Sequence, residues 1–397
     1  MAVIVQADPF LGLIRKIGYS VGLEYVLTRS AALVEMYVRE RRASLASWRT
    51  LVSDGFDRED TAAKGRKTPA EHIGDVLSTL NLIKLSGQQL VPLHGLEAAS
   101  ILRRSLVDDS TFLRALSFLL TVYIIEADGD IFLNCLYSSF EVDRCRELLT
   151  AMIERKRRLA SSAIRNPSLR QKLYDVISIK TQTGQTRGSS GRFSSPFAKR
   201  HTPLDARAVP KVNISEDYID KVLQSRKGWA RELGLFEGTT VSSSGNALLS
   251  ELSRLGLQDS DGPYLFWPYE SDLQRLRIEA ETICSPRLRQ WDLLTSVATA
   301  TLGAVTQVFD PHGDYEGAIG MLRECYALYK VGNTPMSSIR HQLPIYVAQP
   351  CVVALCSARA KLVFPLPAII DHEQRSSSRR LAVTNIRGTE GGIVFRD

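Results

Sequence analysis

Apolar positions along the first part of the chain follow a helical period. Between residues 17 and 60, Leu23, Leu27, Val34, Tyr37 and Val38 recur at roughly helical spacing, and a polar turn from Ser53 to Asp60 closes the run. KGRKTP then leads into TPAEHIGDVLSTLNLIKLSGQQLVPLHG, residues 68 to 95. Thr68 is a natural N-cap, Pro69 suits the first helical position, and Glu71 completes a capping box. Ile73, Val76, Leu77, Leu80 and Leu82 form the apolar stripe, which leaves Glu71, His72, Asp75 and Ser78 outward. After Leu82 the period shortens to two β-like runs, Ile83 to Leu85 and Gln89 to Leu93, around the turn pair Ser86-Gly87. HGLEAASILRRSL then returns to helical spacing.

A second stretch, WARELGLFEGTTVSSSGNALLSEL at residues 229 to 252, repeats this sense. Leu233, Gly234, Leu235 and Phe236 match Leu80, Asn81, Leu82 and Ile83, the hairpin shrinks to GTTV, and Gly245, Ala247 and Leu248 stand opposite Gly95, Glu97 and Ala98. In both places LNLIKLSGQQLVPLHGLEAASIL and its shorter echo resemble the passage from recognition helix through wing to the following helix in the winged helix-turn-helix superfamily. The resemblance implies two winged-helix modules. Such domains commonly seat the recognition helix in the major groove and the wing on the DNA backbone, and many serve in protein contacts instead.

Residues 96 to 178 read as helical, with EADGD, Glu126 to Asp130, as a turn separating an apolar helix from IFLNCLYSSF. Residues 179 to 211 are rich in Gly, Ser, Thr and basic residues without an apolar period, as in a linker or exposed loop. Beyond Gly262, residues 269 to 284 and 287 to 309 and the stretch from Tyr315 to Val331 read as helices. IYVAQP, CVVALC and AKLVFPLPAII then read as three short strands with Pro at their edges. The expected fold class is mainly α, with two winged-helix (α+β) modules and an α+β C-terminal domain. The expected domains are residues 1–178, a helical domain holding the first winged helix at about 45–108; a basic Gly/Ser-rich linker at 179–212; the second winged helix at 213–262; and the C-terminal domain at 263–397.

A chain of 397 residues, 44% apolar, has ample material for packed cores. Its longest uncharged apolar stretch in the middle, Ala115 to Ile125, falls well short of the roughly 20 residues a bilayer span needs. With a start, MAVIVQADPF, that lacks the features of a secretory signal, a cytoplasmic protein without membrane contact is expected. Cys135, Cys145, Cys284, Cys325, Cys351 and Cys356 lie without CxxC or nearby His spacing and read as buried thiols, not zinc ligands or a disulfide framework. Net charge is +7, and its distribution matters more than its size. Between Arg155 and Val212 stand fourteen Lys or Arg against Asp175 and Asp205, a local +12, so the remainder is net −5.

Candidate chemistry is sparse. DPHGDYE brings Asp310, His312, Asp314 and Glu316 into one stretch that suits a divalent ion, or an exposed turn with Asp314 as N-cap of the next helix. Asp371-His372-Glu373 reads as the polar exit from a strand, and Glu126, Asp128 and Asp130 lack the remaining ligands of a calcium loop. Phosphate-loop, nucleophile-elbow and HExxH motifs do not occur, so no catalytic residue, cofactor or resident metal is assigned.

Nucleic-acid binding has better grounds. The first module offers Glu71, His72 and Asp75, poor partners for a phosphate duplex, beside Lys64, Arg66 and Lys67 at its N-terminus. The second offers Arg226, Lys227 and Arg231 around Trp229, with Thr239 and Thr240 in its wing. Arg187, Arg192, Lys199 and Arg200 lie in the Gly/Ser-rich stretch and suit an arm that tracks phosphates, and RKRR at 155 to 158 is either part of that arm or the solvated face of a helix. The leading expectation is a non-enzymatic subunit that binds double-stranded DNA mostly without regard to sequence. It would work with other protein subunits in a larger bacterial DNA-processing or anti-phage defence complex. A structural adaptor whose winged helices bind proteins is the alternative, and a metal-dependent nuclease around Asp310, His312 and Asp314 a further one.

Overall fold

The computed structural model describes residues 26–40, 47, 76–77, 80, 82–86, 89–164, 216–258, 261–265, 296–297, 300, 315–329, 343–344, 348, 352, 366–377, 379–386 and 389–396. These residues are mainly helical, with small antiparallel sheets. Helix α1 (Val26–Glu40) buries Val26, Ser30, Leu33, Val34 and Met36; of the positions read from the sequence period, Val34 is in this buried face while Leu27, Tyr37 and Val38 pack beside it only partly buried.

Two helix–hairpin–helix units follow, and they repeat one set of backbone bonds. In the first, the amide of Leu80 donates to the Val76 carbonyl at 2.9 Å, Leu82 to Leu77 at 2.8 Å, and Leu93 to Leu82 at 3.0 Å. Between Leu82 and Leu93, strand β1 (Ile83–Ser86) pairs antiparallel with β2 (Gln89–Pro92), Ile83 opposite Pro92 and Ser86 opposite Gln89. Helix α2 (His94–Ser105) follows. The start of this unit, with Thr68, Pro69, Glu71, His72 and Asp75, lies outside the described residues.

Helix α3 (Asp109–Tyr137) is capped by the Asp108 carboxylate, which accepts the Thr111 amide at 2.7 Å. From Ala115 onward it is apolar on nearly all sides and accordingly central: α1 and α2 both pack on it. The turn expected at Glu126 to Asp130 is a kink instead. Only Asp128 leaves helical geometry (φ −140°, ψ 16°), and the helix resumes, because apolar surface on both sides of the kink is buried in the same core. Helix α4 (Val142–Ile164) returns along α3 after a turn in which Ser139 (φ 56°) and Phe140 (φ 60°) are both left-handed.

The second unit starts with α5 (Glu216–Glu232), which packs on α1, α3 and α4. Its bonds match those of the first: Leu233 to Trp229 at 2.9 Å, Leu235 to Ala230 at 2.8 Å, and Ser242 to Leu235 at 3.1 Å. Strands β3 (Phe236–Glu237) and β4 (Thr240–Val241) form the shorter hairpin, and α6 (Ser243–Arg254) packs on α3. Since Leu93 and Ser242 are equivalent N-caps, Gly245 stands opposite Leu96, one residue from the sequence pairing with Gly95. The chain after α6 returns to α3, where the Asn134 side chain accepts the Tyr264 amide at 2.8 Å and donates to its carbonyl at 2.9 Å.

Helix α7 (Tyr315–Tyr329) begins where the sequence places it, and it packs on α2; the Ser105 hydroxyl donates to Glu324 at 3.0 Å. Asp310, His312 and Asp314 lie outside the described residues. Of the three strands expected after residue 340, IYVAQP and CVVALC lie outside the described residues except for Ala348 and Val352, which are helical, and the described part of the third, from Leu366, is helical too. Strand β5 is only Leu343–Pro344, and LPAIIDHEQR is helix α8 (Leu366–Arg375), with Pro367 tolerated in its first turn. The remaining strands come from the tail, β6 (Leu381–Ile386) and β7 (Thr389–Phe395), giving a sheet of order β5-β7-β6.

Asp371, His372 and Glu373 accordingly lie in the last turns of α8, not at the exit of a strand. Glu373 is fully buried. It accepts the Tyr315 hydroxyl, the Arg380 amide at 2.7 Å and the Arg380 guanidinium at 2.9 and 3.1 Å. Arg380 also makes two 3.1 Å bonds to Glu316. Burial works to raise the Glu373 carboxyl, but the bonds from Arg380 and Tyr315 prevail and hold it below its usual range. Among the described residues no helix is long and apolar enough to cross a membrane.

Candidate nucleic-acid interface

Helix α5 has two unlike faces. Ile219, Val222, Leu223, Arg226, Trp229, Ala230 and Leu233 are buried, at the spacing of a core stripe; Gln224 and Arg231 are exposed and Lys227 is half-buried. Arg226, expected at the DNA, is therefore a core residue. It is 0% exposed and forks onto the equally buried Asp128, Nε to Oδ2 at 2.9 Å and Nη2 to Oδ1 at 3.0 Å. Its Nη1 donates to the Ser225 hydroxyl at 3.0 Å, and its guanidinium carbon lies 5.0 Å from the centre of the Trp229 ring. The physical reason is position: Arg226 falls four residues after Val222 and three before Trp229, on the face turned to α3, where the kink presents a carboxylate.

Lys227 and Arg231 lie on the outer side. The Lys227 ammonium sits 5.4 Å and the Arg231 guanidinium 5.9 Å from the centre of the Phe236 ring, whose own face is buried in the core. Phe140, from the left-handed turn before α4, meets Phe236 edge-on at 4.9 Å and 81°. Sequence reasoning passed over Phe236 as a platform for the cations; its place five residues beyond Arg231, at the start of β3, was the available signal.

Arg231 also donates to the Gly238 carbonyl at 3.1 Å, tying α5 to the two-residue turn Gly238-Thr239. Gly238 has φ 56°, a conformation that favours glycine in such a turn. Thr239 and Thr240 are exposed there, and the Thr240 hydroxyl donates to the Glu237 carbonyl at 3.5 Å. Exposed Glu237 sets one negative charge beside these groups.

The hairpin is seated firmly. The Ser242 hydroxyl donates to the Gly234 carbonyl at 2.7 Å and accepts the Gly245 amide at 3.0 Å. Gly245 is required by contact: a Cβ there would lie 2.2 Å from the Leu235 carbonyl oxygen and 2.6 Å from Val241 Cγ1. At this same end of α5, its last residue, Glu232, turns away to accept the Leu27 amide and the Thr28 hydroxyl, each at 2.7 Å, so it caps α1 and is not part of the cationic face.

Of the twelve residues expected at DNA, Lys227, Arg231, Thr239 and Thr240 gather at one end of the second unit, and Arg226 is turned inward. Lys64, Arg66, Lys67, Arg187, Arg192, Lys199 and Arg200 lie outside the described residues. Residues 155 to 158 belong to α4, where Arg155 is half-buried. The first unit has its second helix, α2, flanked by α1, α3 and α7. The cations and hydroxyls around the second hairpin can donate to phosphate oxygens; they supply no nucleophile–base pair. No protein-family model, curated protein or solved structure matches this chain.

Proposed function

We propose that this chain is a non-enzymatic DNA-binding subunit that holds the phosphates of double-stranded DNA with little regard to sequence. The observation that supports it is the coincidence of two sources of positive charge. The stretch from 155 to 212, with its local +12, begins in α4 and ends at the start of α5, the helix that presents Lys227 and Arg231 at its far end. Thr239 and Thr240 add hydroxyl donors at the same end. Each phosphate neutralised releases a counterion, so affinity is expected to fall by roughly a thousandfold or more between about 50 and 200 mM salt if six or more phosphates are held.

Fluorescence anisotropy with labelled duplexes of unrelated sequence tests the reading. The full chain should bind them with similar affinity and a steep salt slope. Removal of residues 180–210 together with Lys227→Gln and Arg231→Gln should flatten the slope and abolish most binding; unchanged affinity in that variant would overturn the proposal. Arg226 is left intact in this test, because its loss acts on the core.

A second reading, an adaptor that binds proteins, is favoured by the connection between α2 and α3. Val107 is 89% exposed there, with Leu113 close behind at 39%. Partners that survive nuclease treatment of a lysate and are lost with Val107→Asp would support it.

A further inference from the structure

Cys135, near the end of α3, and Cys145, in the second turn of α4, point at each other across the left-handed turn. Their sulfurs are 3.5 Å apart, at van der Waals contact, and both side chains are fully buried. Between them, Ser138 bonds the end of α3, with its hydroxyl on the Cys135 carbonyl at 2.7 Å, and the Phe140 amide donates to that same carbonyl at 2.9 Å. The Phe140 ring is the edge that meets Phe236, and Phe236 carries Lys227 and Arg231. Two thiols thus bracket the turn on which the second hairpin rests.

We propose that Cys135 and Cys145 are an oxidative modification site, a dithiol that hydrogen peroxide converts to a disulfide, and that this bond locks the turn carrying Phe140 against the second hairpin. Closure needs the sulfurs to approach to about 2.05 Å, a small movement for two side chains already in contact.

Position assigns the roles, with Cys145 near the start of α4 and Cys135 near the end of α3, and the electrostatics run in the same direction. Burial, followed by the hydrogen bond to Cys145, pushes the Cys135 thiol up, so it keeps its proton; that hydrogen bond, with help from Ser138 and the nearby Arg226 guanidinium, draws the Cys145 thiol down against its burial. A position near the start of α4 adds the favourable end of the helix dipole. Cys145 is the nucleophile and Cys135 the resolving thiol. The Cys145 thiolate attacks one peroxide oxygen, the O–O bond breaks, and the departing hydroxide takes a proton to become water. Cys135 sulfur then attacks the sulfenic sulfur of Cys145; the S–O bond breaks and the hydroxyl leaves as a second water with the Cys135 proton. Two thiols are oxidised and one peroxide is reduced. A dithiol reductant reverses the reaction by exchange, becoming a disulfide itself.

Access comes through the start of α4. Residues 141 to 144, which precede Cys145, are all exposed, so opening of that single turn admits a small oxidant, and the reaction is slow in keeping with the burial.

The experiment uses the full chain and needs no DNA, so its outcome is independent of the DNA-binding proposal. Protein is treated with hydrogen peroxide, unfolded, alkylated and digested, and its native state is followed by hydrogen exchange. The expected product is a Cys135–Cys145 linked peptide, two hydrogens lighter than the sum of its parts, absent from Cys135→Ser and Cys145→Ser, retained in Cys325→Ser, and lost on adding dithiothreitol. Amides of residues 139–141 and 236 should exchange about tenfold or more slowly in the linked form. Both cysteines recovered alkylated, or singly oxidised without a link, would overturn the proposal. A linked peptide with unchanged exchange at these amides would overturn the coupling to the hairpin.

Discussion

Arg226→Met is expected to destabilise the protein by about 3–5 kcal/mol, because it leaves the Asp128 carboxylate uncompensated in the core. The magnitude follows from the site. Both partners are 0% exposed, so neither can recover hydration without opening α3 or α5, and Asp128 loses two charge-assisted bonds at 2.9 and 3.0 Å. Asp128→Leu should cost a similar amount by stranding the guanidinium over Trp229. The double variant, which removes both charges, should regain most of the loss, since an apolar pair of similar volume is often as stable as a buried ion pair. Urea unfolding followed by tryptophan fluorescence and circular dichroism measures all three, and the cycle isolates the coupling. Single variants that each cost less than about 1 kcal/mol, or a double variant equal to their sum, would refute the reasoning. A folded double variant should also keep the full salt slope of DNA binding, because Arg226 has no phosphate to hold.

Gly245→Ala should cost about 1–3 kcal/mol through the clash with the Leu235 carbonyl, whereas Gly320→Ala, where a Cβ meets nothing within 4 Å in a helix, should stabilise by about 0.5–1 kcal/mol; thermal unfolding distinguishes them. Burial lifts the Glu97 carboxyl from 4.5 to about 7, so the folded state holds a proton that the unfolded state releases and stability falls as pH rises between these values. Glu97→Gln should remove that fall, a gain on the order of 1–2 kcal/mol at pH 8 once its partial solvation is allowed for, read from denaturation midpoints across pH. Arg380 acts with the opposite sign. Its bonds hold the Glu316 and Glu373 carboxyls below their usual range, so the stability they contribute is present above the unfolded carboxylate range and is lost as pH falls through the lowered folded values. Arg380→Leu should weaken the packing of β6 on α8 and free its start from Glu316 of α7 at pH 7, and blunt its acid sensitivity, as seen by hydrogen exchange in Leu381–Ile386.

The local parts of the fold were legible because they rest on local chemistry. Ile83 to Leu93 and Phe236 to Val241 alternate around Gly-containing turns, and α2, α5, α6 and α7 begin or end at caps and period changes visible along the chain. What could not be read was which face met which. Arg226 stands in a run with Lys227 and Arg231 and looks like a third surface cation, and its partner lies 98 residues away. The hint was a paired anomaly: an arginine inside the stripe of Val222 and Trp229, and an acidic run, Glu126, Asp128 and Asp130, between the two apolar halves of one helix. LPAIIDHEQR misled for another reason. Its start has the Pro and branched apolar residues of an edge strand, while the polar half that completes a helical period comes only afterwards. The tail hairpin β6–β7 was hidden by its arginines, although LAVTNI and TEGGIVF flank an Arg-Gly turn pair.

Because α4 and α5 pack directly and both lie on α3, the covalent path through residues 165–215 is not what holds the two hairpin units together. A chain severed within that stretch should persist as a noncovalent complex of its halves. Made separately, residues 1–164 would carry Asp128 and residues 216–397 would carry Arg226, each an unneutralised charge on an uncovered apolar face. The buried pair thus makes the halves obligate complements, able to reassemble with each other and poor at surviving alone.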